Sequence, residues 1–182
     1  MIHSSPFPNE LKAYLYDVLQ TQIIKKRVKV LRVGQVSDRI YFIEKGLFRC
    51  YVMRGEDEIC KWFMREGNIM ISVNSFFNRK QSTETIEALE ESEVHWITFD
   101  QLQKIYELFP EFRRIGQRLT EIYYCASEVR ADDLRMKQAD ELYSDWITNQ
   151  PELAGRIKKS YLASYFGITP PTLSRAKKTA KI

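Results

Sequence analysis

Short apolar runs of changing period organise the first hundred residues. Leu11, Leu15 and Val18 recur every three or four positions, which predicts an amphipathic helix over residues 9–20. After it, the pattern changes to short β-rich runs. The predicted strands cover residues 28–33, 39–43, 47–53, 58–63, 85–89 and 94–98. Glycines that suit left-handed turns separate these runs: Gly34, Gly46, Gly55 and Gly67. We therefore predict an all-β unit, whose irregular segment 67–81 forms a cavity or lid.

A long helical pattern follows the strands. Asp100 is predicted to cap a short helix that ends at Leu108, and Pro110 separates it from the longest helix. Residues of the long helix recur at spacings of three and four: Phe112, Ile115, Leu119, Ile122, Ala126, Val129, Asp133 and Met136. Only Asp133 interrupts this apolar heptad seam. We interpret the seam as a dimer interface, because a helix buried on one globule usually carries a broader stripe. A helix laid on its own β-unit is the alternative.

Residues 158–178 have the spacing of two short helices joined by a sharp turn. Leu162 and Phe166 share one face of the first helix, and Leu173 and Ala176 share one face of the second. These two apolar faces are predicted to pack together.

The turn between these helices carries its own signals. Gly167 is expected to end the first helix in a left-handed conformation. Thr169 is expected to cap the second helix, and Pro170 and Pro171 fall in its first turn, where a missing N–H costs little. A preceding helix is marked by Leu142, Tyr143, Trp146 and Ile147. The pattern predicts a helix-turn-helix unit, which places its second helix in the DNA major groove.

Positive charge is concentrated at the same end of the chain. Residues 154–182 contain no Asp or Glu and carry a charge of +7, whereas the whole chain carries +4, so residues 1–153 carry −3. This concentration is typical of phosphate contacts. A basic helix pair used only for packing is the alternative interpretation.

The composition excludes several classes of protein. The 182 residues are 44% hydrophobic and 29% charged, which is ordinary for a globular protein. No apolar run approaches the length of a membrane span and no signal peptide is apparent, so a cytoplasmic protein is expected. Three cysteines without CxxC spacing, and two isolated histidines, indicate no metal or cofactor site. No catalytic spacing is found, so an enzyme is not expected.

Several segments resemble the Crp/Fnr superfamily of bacterial transcription regulators. The most specific matches are residues 40–46 (IYFIEKG), 86–90 (IEALE), 161–170 (YLASYFGITP) and 173–175 (LSR). The resemblance implies an α+β fold with a jelly-roll-like, antiparallel β-roll sensor at 1–110. It also implies a dimerisation helix at 111–136 and a helix-turn-helix domain at 137–182. A homodimer on double-stranded DNA with two-fold symmetry, and a small-molecule effector, are implied as well.

The sequence departs from the resemblance at the ligand pocket. Family members that bind cyclic nucleotides carry a Gly-Glu-Leu triplet and an Arg-Ser or Arg-Thr pair, whereas residues 71–73 are Ile-Ser-Val and residues 82–83 are Ser-Thr. A cyclic phosphate would lose its guanidinium partner, so cyclic AMP is not expected to bind unless Arg79 or Lys80 substitutes. The resemblance implies these pocket residues: Gly67, Asn68, Ser72, Val73, Ser75, Ser82, Thr83 and Tyr123.

The DNA-reading helix departs from the family as well. Pro170 and Pro171 stand where members carry charged base readers, which leaves Arg175 to read a guanine. Only four residues follow Lys178, so no β-hairpin wing is expected. The full set of predicted DNA contacts is Lys158, Lys159, Ser160, Thr169, Pro170, Pro171, Thr172, Ser174, Arg175, Lys177 and Lys178.

Two functions compete on these observations. The first is a dimeric transcription regulator, and the second is a ligand-binding β-roll whose helical tail docks a protein. The proline pair and the missing wing favour the second function. The acid-free basic tail favours the first, because a protein-docking surface more usually mixes charges or exposes apolar anchors.

Overall fold

The computed structural model describes residues 8–179 of the chain, and this part contains seven α-helices and eight strands. The helices are α1 (Asn9–Val18), α2 (Val73–Asn78), α3 (Phe99–Leu108), α4 (Pro110–Met136), α5 (Ala139–Asn149), α6 (Lys159–Tyr165) and α7 (Pro170–Thr179). The strands are β1 (Gln20–Ile24), β2 (Lys29–Leu31), β3 (Arg39–Lys45), β4 (Leu47–Arg54), β5 (Asp57–Arg65), β6 (Ile69–Met70), β7 (Thr85–Ala88) and β8 (Ser92–Thr98). None of these helices is both long and apolar enough to cross a membrane. The α+β class predicted from the sequence is confirmed.

The strands form two four-stranded sheets, with the orders β1-β8-β3-β6 and β2-β7-β4-β5. In the first sheet Ile43 pairs with Val94, and both side chains are buried, as expected for facing residues on the core side of antiparallel strands. Strands β1 and β6 were not predicted. Four of the five β1 residues are exposed and β6 has only two residues, so neither shows the alternation on which the prediction depends.

The chain divides into two compact units. The first unit comprises Met1–Phe48 and Met64–Arg118, and the second comprises Arg49–Phe63 and Leu119–Ile182. Most of the β4–β5 hairpin therefore groups with the C-terminal helices.

Helices α1 and α3 contribute to the core of the first unit. Leu11 and Leu15 of α1 cluster with Phe76, Leu102 and Ile105. All five side chains are buried, and the spacing of the two α1 leucines is the helical one predicted from the sequence.

The cap of α3 differs from the prediction. Thr98, not Asp100, is the N-cap residue, since its side chain accepts from the backbone N–H of Gln101. The Gln101 side chain accepts from the Thr98 N–H in return, which completes a capping box. Asp100 lies within the first turn of the helix, where its charge complements the helix dipole.

Three helices build the core of the second unit. The apolar residues predicted to face one another in α6 and α7 are buried, and α5 packs against α7. Trp146 of α5 meets Phe166 edge to face, with ring centroids 6.2 Å apart. This contact joins α5 to the end of α6.

We expect Gly46→Ala to destabilise the chain far more than Gly55→Ala. Both glycines have positive φ, 117° and 64°, but a Cβ on Gly46 would lie 2.8 Å from the Cα of Ser92, whereas a Cβ on Gly55 would meet open space. Backbone strain together with overpacking should lower the free energy of unfolding by about 2–4 kcal/mol at Gly46. Backbone strain alone should lower it by about 1 kcal/mol at Gly55. Urea unfolding measures the difference, and equal losses would contradict the tight contact at Gly46.

Candidate nucleic-acid interface and ligand pocket

The turn between α6 and α7 is closed by hydrogen bonds at both ends. The N–H of Ile168 donates to the carbonyl of Ala163 at 3.0 Å, and the N–H of Gly167 donates to Ser164 at 3.1 Å. These two bonds are a Schellman motif, which requires the φ of +68° found at Gly167. Thr169 then accepts from the N–H of Thr172 at 3.3 Å, so the predicted cap of α7 is confirmed.

The outer face of this helix pair presents the predicted contact residues. Those that are exposed are Lys158, Lys159, Ser160, Thr169, Pro170, Pro171, Arg175, Lys177 and Lys178, while Thr172 and Ser174 are half-buried. The acid-free stretch therefore forms a basic surface. Lys181 lies outside the described residues.

Local contacts already engage several of these side chains. The guanidinium of Arg175 donates to the hydroxyl of Thr172 at 3.3 Å, which holds it along the exposed side of α7. Ser174 donates to the carbonyl of Pro170 at 3.0 Å, so its hydroxyl hydrogen is used within the helix. Lys177 lies 5.3 Å from the ring centroid of Tyr143, and Lys158 has a similar aromatic neighbour. Arg175 thus lies exposed on α7, with a hydrogen bond to its own helix.

Helix α4 exposes the predicted seam, and none of its residues is buried within the chain. Phe112 and Ile115 are half-buried and Ala126 is exposed, while Leu119, Ile122 and Val129 are 37%, 50% and 61% exposed. The helix therefore does not bury this stripe on its own chain.

The interruption of the seam at Asp133 has a local partner. Lys137 lies 2.7 Å from carboxylate oxygens of both Asp133 and Asp145. These hydrogen bonds raise the pKa of Lys137 well above its usual value. The trio links the end of α4 to α5 at the point where the seam ends.

The predicted pocket residues occupy different environments. Ser72, Ser75 and Ser82 are buried, Asn68 is half-buried, and Gly67, Val73 and Thr83 are exposed. These seven lie in the first unit, whereas Tyr123 lies on α4 in the second. The structure thus brings the three serines of the predicted pocket into the interior.

Glu84 contacts both of the serines that stand at the positions of the family's Glu and Arg. The hydroxyl of Ser72 donates to the Glu84 carboxylate at 2.7 Å, and it lies 3.4 Å from the hydroxyl of Ser82. Ser82 in turn donates to the Glu84 backbone carbonyl at 2.9 Å and accepts from its N–H. A phosphate placed about 5 Å from this carboxylate would be repelled by about 3 kcal/mol at an effective dielectric constant of about 20.

Arg79, the proposed substitute for the missing guanidinium, is engaged elsewhere. It donates to the carbonyl of Ser37 at 2.8 Å and forms an ion pair with Asp38 at 2.9 Å. Its guanidinium also lies 4.4 Å from the ring centroid of Phe99. Lys80 is exposed, and its carbonyl accepts from Ser75. Neither cation is directed at the serine cluster by these contacts.

A separate cavity of about 290 Å³ opens in the first unit. Its walls include Leu31, Ile71 and Ile86, and its polar lining includes Asp38 and Arg39. None of the eight predicted pocket residues lines it. Within residues 8–179, no group of three His, Cys, Asp or Glu side chains is arranged to hold a metal ion.

Comparison with known proteins agrees with this architecture. Residues 22–108 match the family model of the cyclic nucleotide-binding domain. No curated protein matches the chain by sequence.

Three solved structures illustrate the fold. FixK2 from Bradyrhizobium japonicum is 17% identical with a TM-score of 0.76, and the match covers 88% of this chain and 83% of that one. A protein proposed to be a Crp/Fnr-family transcriptional regulator, from Eubacterium rectale, is 16% identical with a TM-score of 0.74, covering 94% and 82%. The catabolite activator protein of Thermus thermophilus is 15% identical with a TM-score of 0.60, covering 97% and 84%.

The chain therefore carries a cyclic nucleotide-binding domain fold over residues 22–108 and has, as a whole, the fold of the Crp/Fnr-type regulators. The family resemblance stated from the sequence is confirmed.

We expect calorimetry to detect no saturable binding of cyclic AMP at low micromolar concentration. The physical reason is that the Glu84 carboxylate lies beside the two serines and that Arg79 is held by Asp38. A cyclic-AMP-binding relative titrated in parallel is the control. Saturable binding that disappears in Arg79→Gln would show that Arg79 leaves Asp38 to hold the phosphate.

Proposed function

We propose that the chain is a homodimeric DNA-binding transcription regulator, which acts in the cytoplasm on an operator with two-fold symmetry. The observation that carries the proposal is the capped α6–α7 pair, whose exposed face is basic and free of acidic residues over the described residues 154–179. Phosphates bind such a face and release counterions, while α7 enters the major groove.

The exposed seam of α4 supports the dimer. A second copy would cover Leu119, Ile122 and Val129, which leave large apolar surface in water in a single chain. Two copies joined along α4 place two α7 helices on one side of DNA, as a two-fold symmetric operator requires.

Arg175 is the proposed base reader, and the lysines at the two ends of the helix pair are proposed phosphate contacts. A guanidinium binds guanine O6 and N7 through two hydrogen bonds. Arg175 is exposed about one turn into α7, a position from which its side chain could make these bonds. Lys159 and Lys178 lie in the first turn of α6 and the last turn of α7. From these two ends of the helix pair they are proposed to contact the phosphates of the DNA backbone.

The effector, if the regulator takes one, is proposed to differ from cyclic AMP. The Glu84 cluster supports this, since its carboxylate lies beside the serines that stand at the family's Glu and Arg positions and would repel a phosphate there. The cavity of about 290 Å³ beside Asp38 and Arg39 offers a different place for a small molecule.

We expect Leu119→Glu or Ile122→Glu to convert dimers to monomers and to abolish operator binding together. A buried charge at the seam would be desolvated without a partner. Tyr124→Glu is the matched control, because Tyr124 is exposed on the same helix and lies outside the seam. Sedimentation equilibrium at micromolar concentration makes the measurement. An unaltered protein that sediments as a monomer would contradict the dimer.

We expect Arg175→Ala to weaken specific binding by about 1–3 kcal/mol and to flatten the preference at one base pair in each half-site. Lys159→Ala or Lys178→Ala should instead weaken all sequences alike and lower the salt slope by about one unit per lost contact. Selections on randomised DNA at two salt concentrations separate these effects. Intact sequence preference in Arg175→Ala would show a different docking of α7.

Docking of a protein is the second candidate function, and the exposed Pro170–Pro171 pair favours it. Prolines at the start of α7 offer no base-edge hydrogen bonds. The same DNA titrations test this candidate. A chain that dimerises and binds no DNA at low salt would favour it over the regulator.

A further inference from the structure

The β4–β5 hairpin docks directly on α6 within the second unit. The backbone N–H of Cys60 donates to the hydroxyl of Ser164 at 3.0 Å. The rings of Phe63 and Tyr165 lie 5.1 Å apart in a tilted arrangement. Strand β5 is thus joined to the first helix of the helix-turn-helix by a hydrogen bond and an aromatic contact.

Arg130 of α4 joins the same contact from a third element. Its guanidinium lies 3.5 Å from the ring centroid of Tyr165 and 5.5 Å from that of Trp62. It also donates to the backbone carbonyl of Tyr165 at 2.7 Å. Because Tyr165 is the last residue of α6, this cation satisfies a carbonyl at the negative end of the helix dipole.

Arg49 makes a second contact of the same kind. Its side chain is 2% exposed and forms an ion pair with Glu58 of the hairpin at 2.6 Å. Its guanidinium lies 3.7 Å from the ring centroid of Tyr161 in α6 and 4.2 Å from that of Tyr51. Two buried or half-buried arginines therefore attach α6 to the hairpin and to α4. We call these contacts the clamp.

The clamp holds α6 and leaves α7 uncovered. Its α6 contacts are Tyr161, Ser164 and Tyr165, whereas Arg175 and Lys178 of α7 remain exposed. The geometry therefore favours a device that positions the DNA-reading helix rather than one that blocks it.

We propose that Arg49 and Arg130 are positioning residues that hold α7 at a fixed distance from the dimer seam. This inference rests on the proposed DNA-binding function. Arg130 follows the seam residue Val129 directly, so its bond to Tyr165 ties the helix-turn-helix to the helix that forms the dimer. Two copies then present α7 at one spacing.

Fixed spacing has a measurable consequence. When one helix-turn-helix is bound, the second meets its half-site at an effective concentration that is high only if the spacing matches. A loosened clamp would widen the range of accessible spacings and lower that concentration at the best one. Binding to a single half-site, which needs one α7 only, would not change.

The test compares the full dimeric protein with Arg130→Gln, Arg130→Lys and Tyr165→Leu on a selected operator. The operator is also made with one to three base pairs added or removed between its half-sites, and as a single half-site. The matched control is Arg135→Gln, which removes an exposed guanidinium from the same helix. Circular dichroism checks that each variant is folded.

A second measurement reports, in the absence of DNA, whether the clamp contacts stay formed. Cys60 is 2% exposed, and burial raises the pKa of its thiol, so alkylation should be slow while the hairpin stays on α6. Exposed Cys125 is the internal reference for reagent activity. Mass spectrometry follows both cysteines.

We expect Arg130→Gln and Tyr165→Leu to reduce a spacing preference of about 100-fold to below about 10-fold, with half-site affinity unchanged within about twofold. Cys60 alkylation should accelerate at least about tenfold in these two variants. Arg130→Lys, which keeps the charge, should show smaller changes in both the spacing preference and the alkylation rate. Unchanged spacing preference in both variants, with Cys60 still protected, would overturn this inference alone. A protein that binds no DNA would overturn the proposed function and this inference together, whatever Cys60 shows.

Discussion

The buried guanidinium of Arg49 is the interaction on which the second unit depends. A cation that is 2% exposed has lost its water, and the chain replaces that water with the Glu58 carboxylate and the faces of Tyr51 and Tyr161. Removing one partner from a buried pair typically costs about 3–5 kcal/mol, because the remaining charge is left uncompensated. One of these three partners, Tyr161, is on α6, and the other two are on the hairpin. The need to compensate one charge therefore specifies which surface of the helix-turn-helix meets the β4–β5 hairpin.

The same constraint shapes the interior of the first unit. Glu84 is 8% exposed, and the hydroxyl of Ser72 donates to its carboxylate. Ser72, Ser82 and Glu84 are thus joined by hydrogen bonds in the interior. The departure from the cyclic-nucleotide cassette therefore coincides with a buried hydrogen-bonded cluster of Ser72, Ser82 and Glu84.

Local patterns in the sequence predicted the helical parts well. Gly167, Thr169 and the apolar spacings of α6 and α7 act within a few residues of one another, so their consequences can be worked out without the fold. The predicted cap of α3, Asp100, is wrong because Thr98 both ends β8 and caps the helix, so the two elements share one residue. Strand β1 was missed because its exposed polar residues show no alternation.

The contacts between distant segments could not be predicted from periodicity. Glu84 directly follows the Ser82-Thr83 pair in the sequence, and only the fold brings its carboxylate to Ser72. Arg130 lies on the flank of the heptad seam, where a charge is ordinary, and nothing local indicates Trp62 or Tyr165 as partners. Arg49 did leave a signal, since it is a single charge inside the apolar run Leu47–Tyr51. Such a residue is buried only with partners, although the sequence does not name them.

The chemistry of α7 makes geometry important for specificity. Its first turn contains two prolines, and the hydroxyl hydrogen of Ser174 is donated to the helix itself, so few side chains remain to distinguish bases. In the proposed dimer, a single arginine per subunit would read little sequence, and two such subunits would read little more if they moved independently. Discrimination would then come from the distance between the two half-sites, which requires a helix-turn-helix held firmly relative to the dimer helix. The bond from Arg130 to the end of α6 lies at the point where the two elements meet, which is where such a restraint would act.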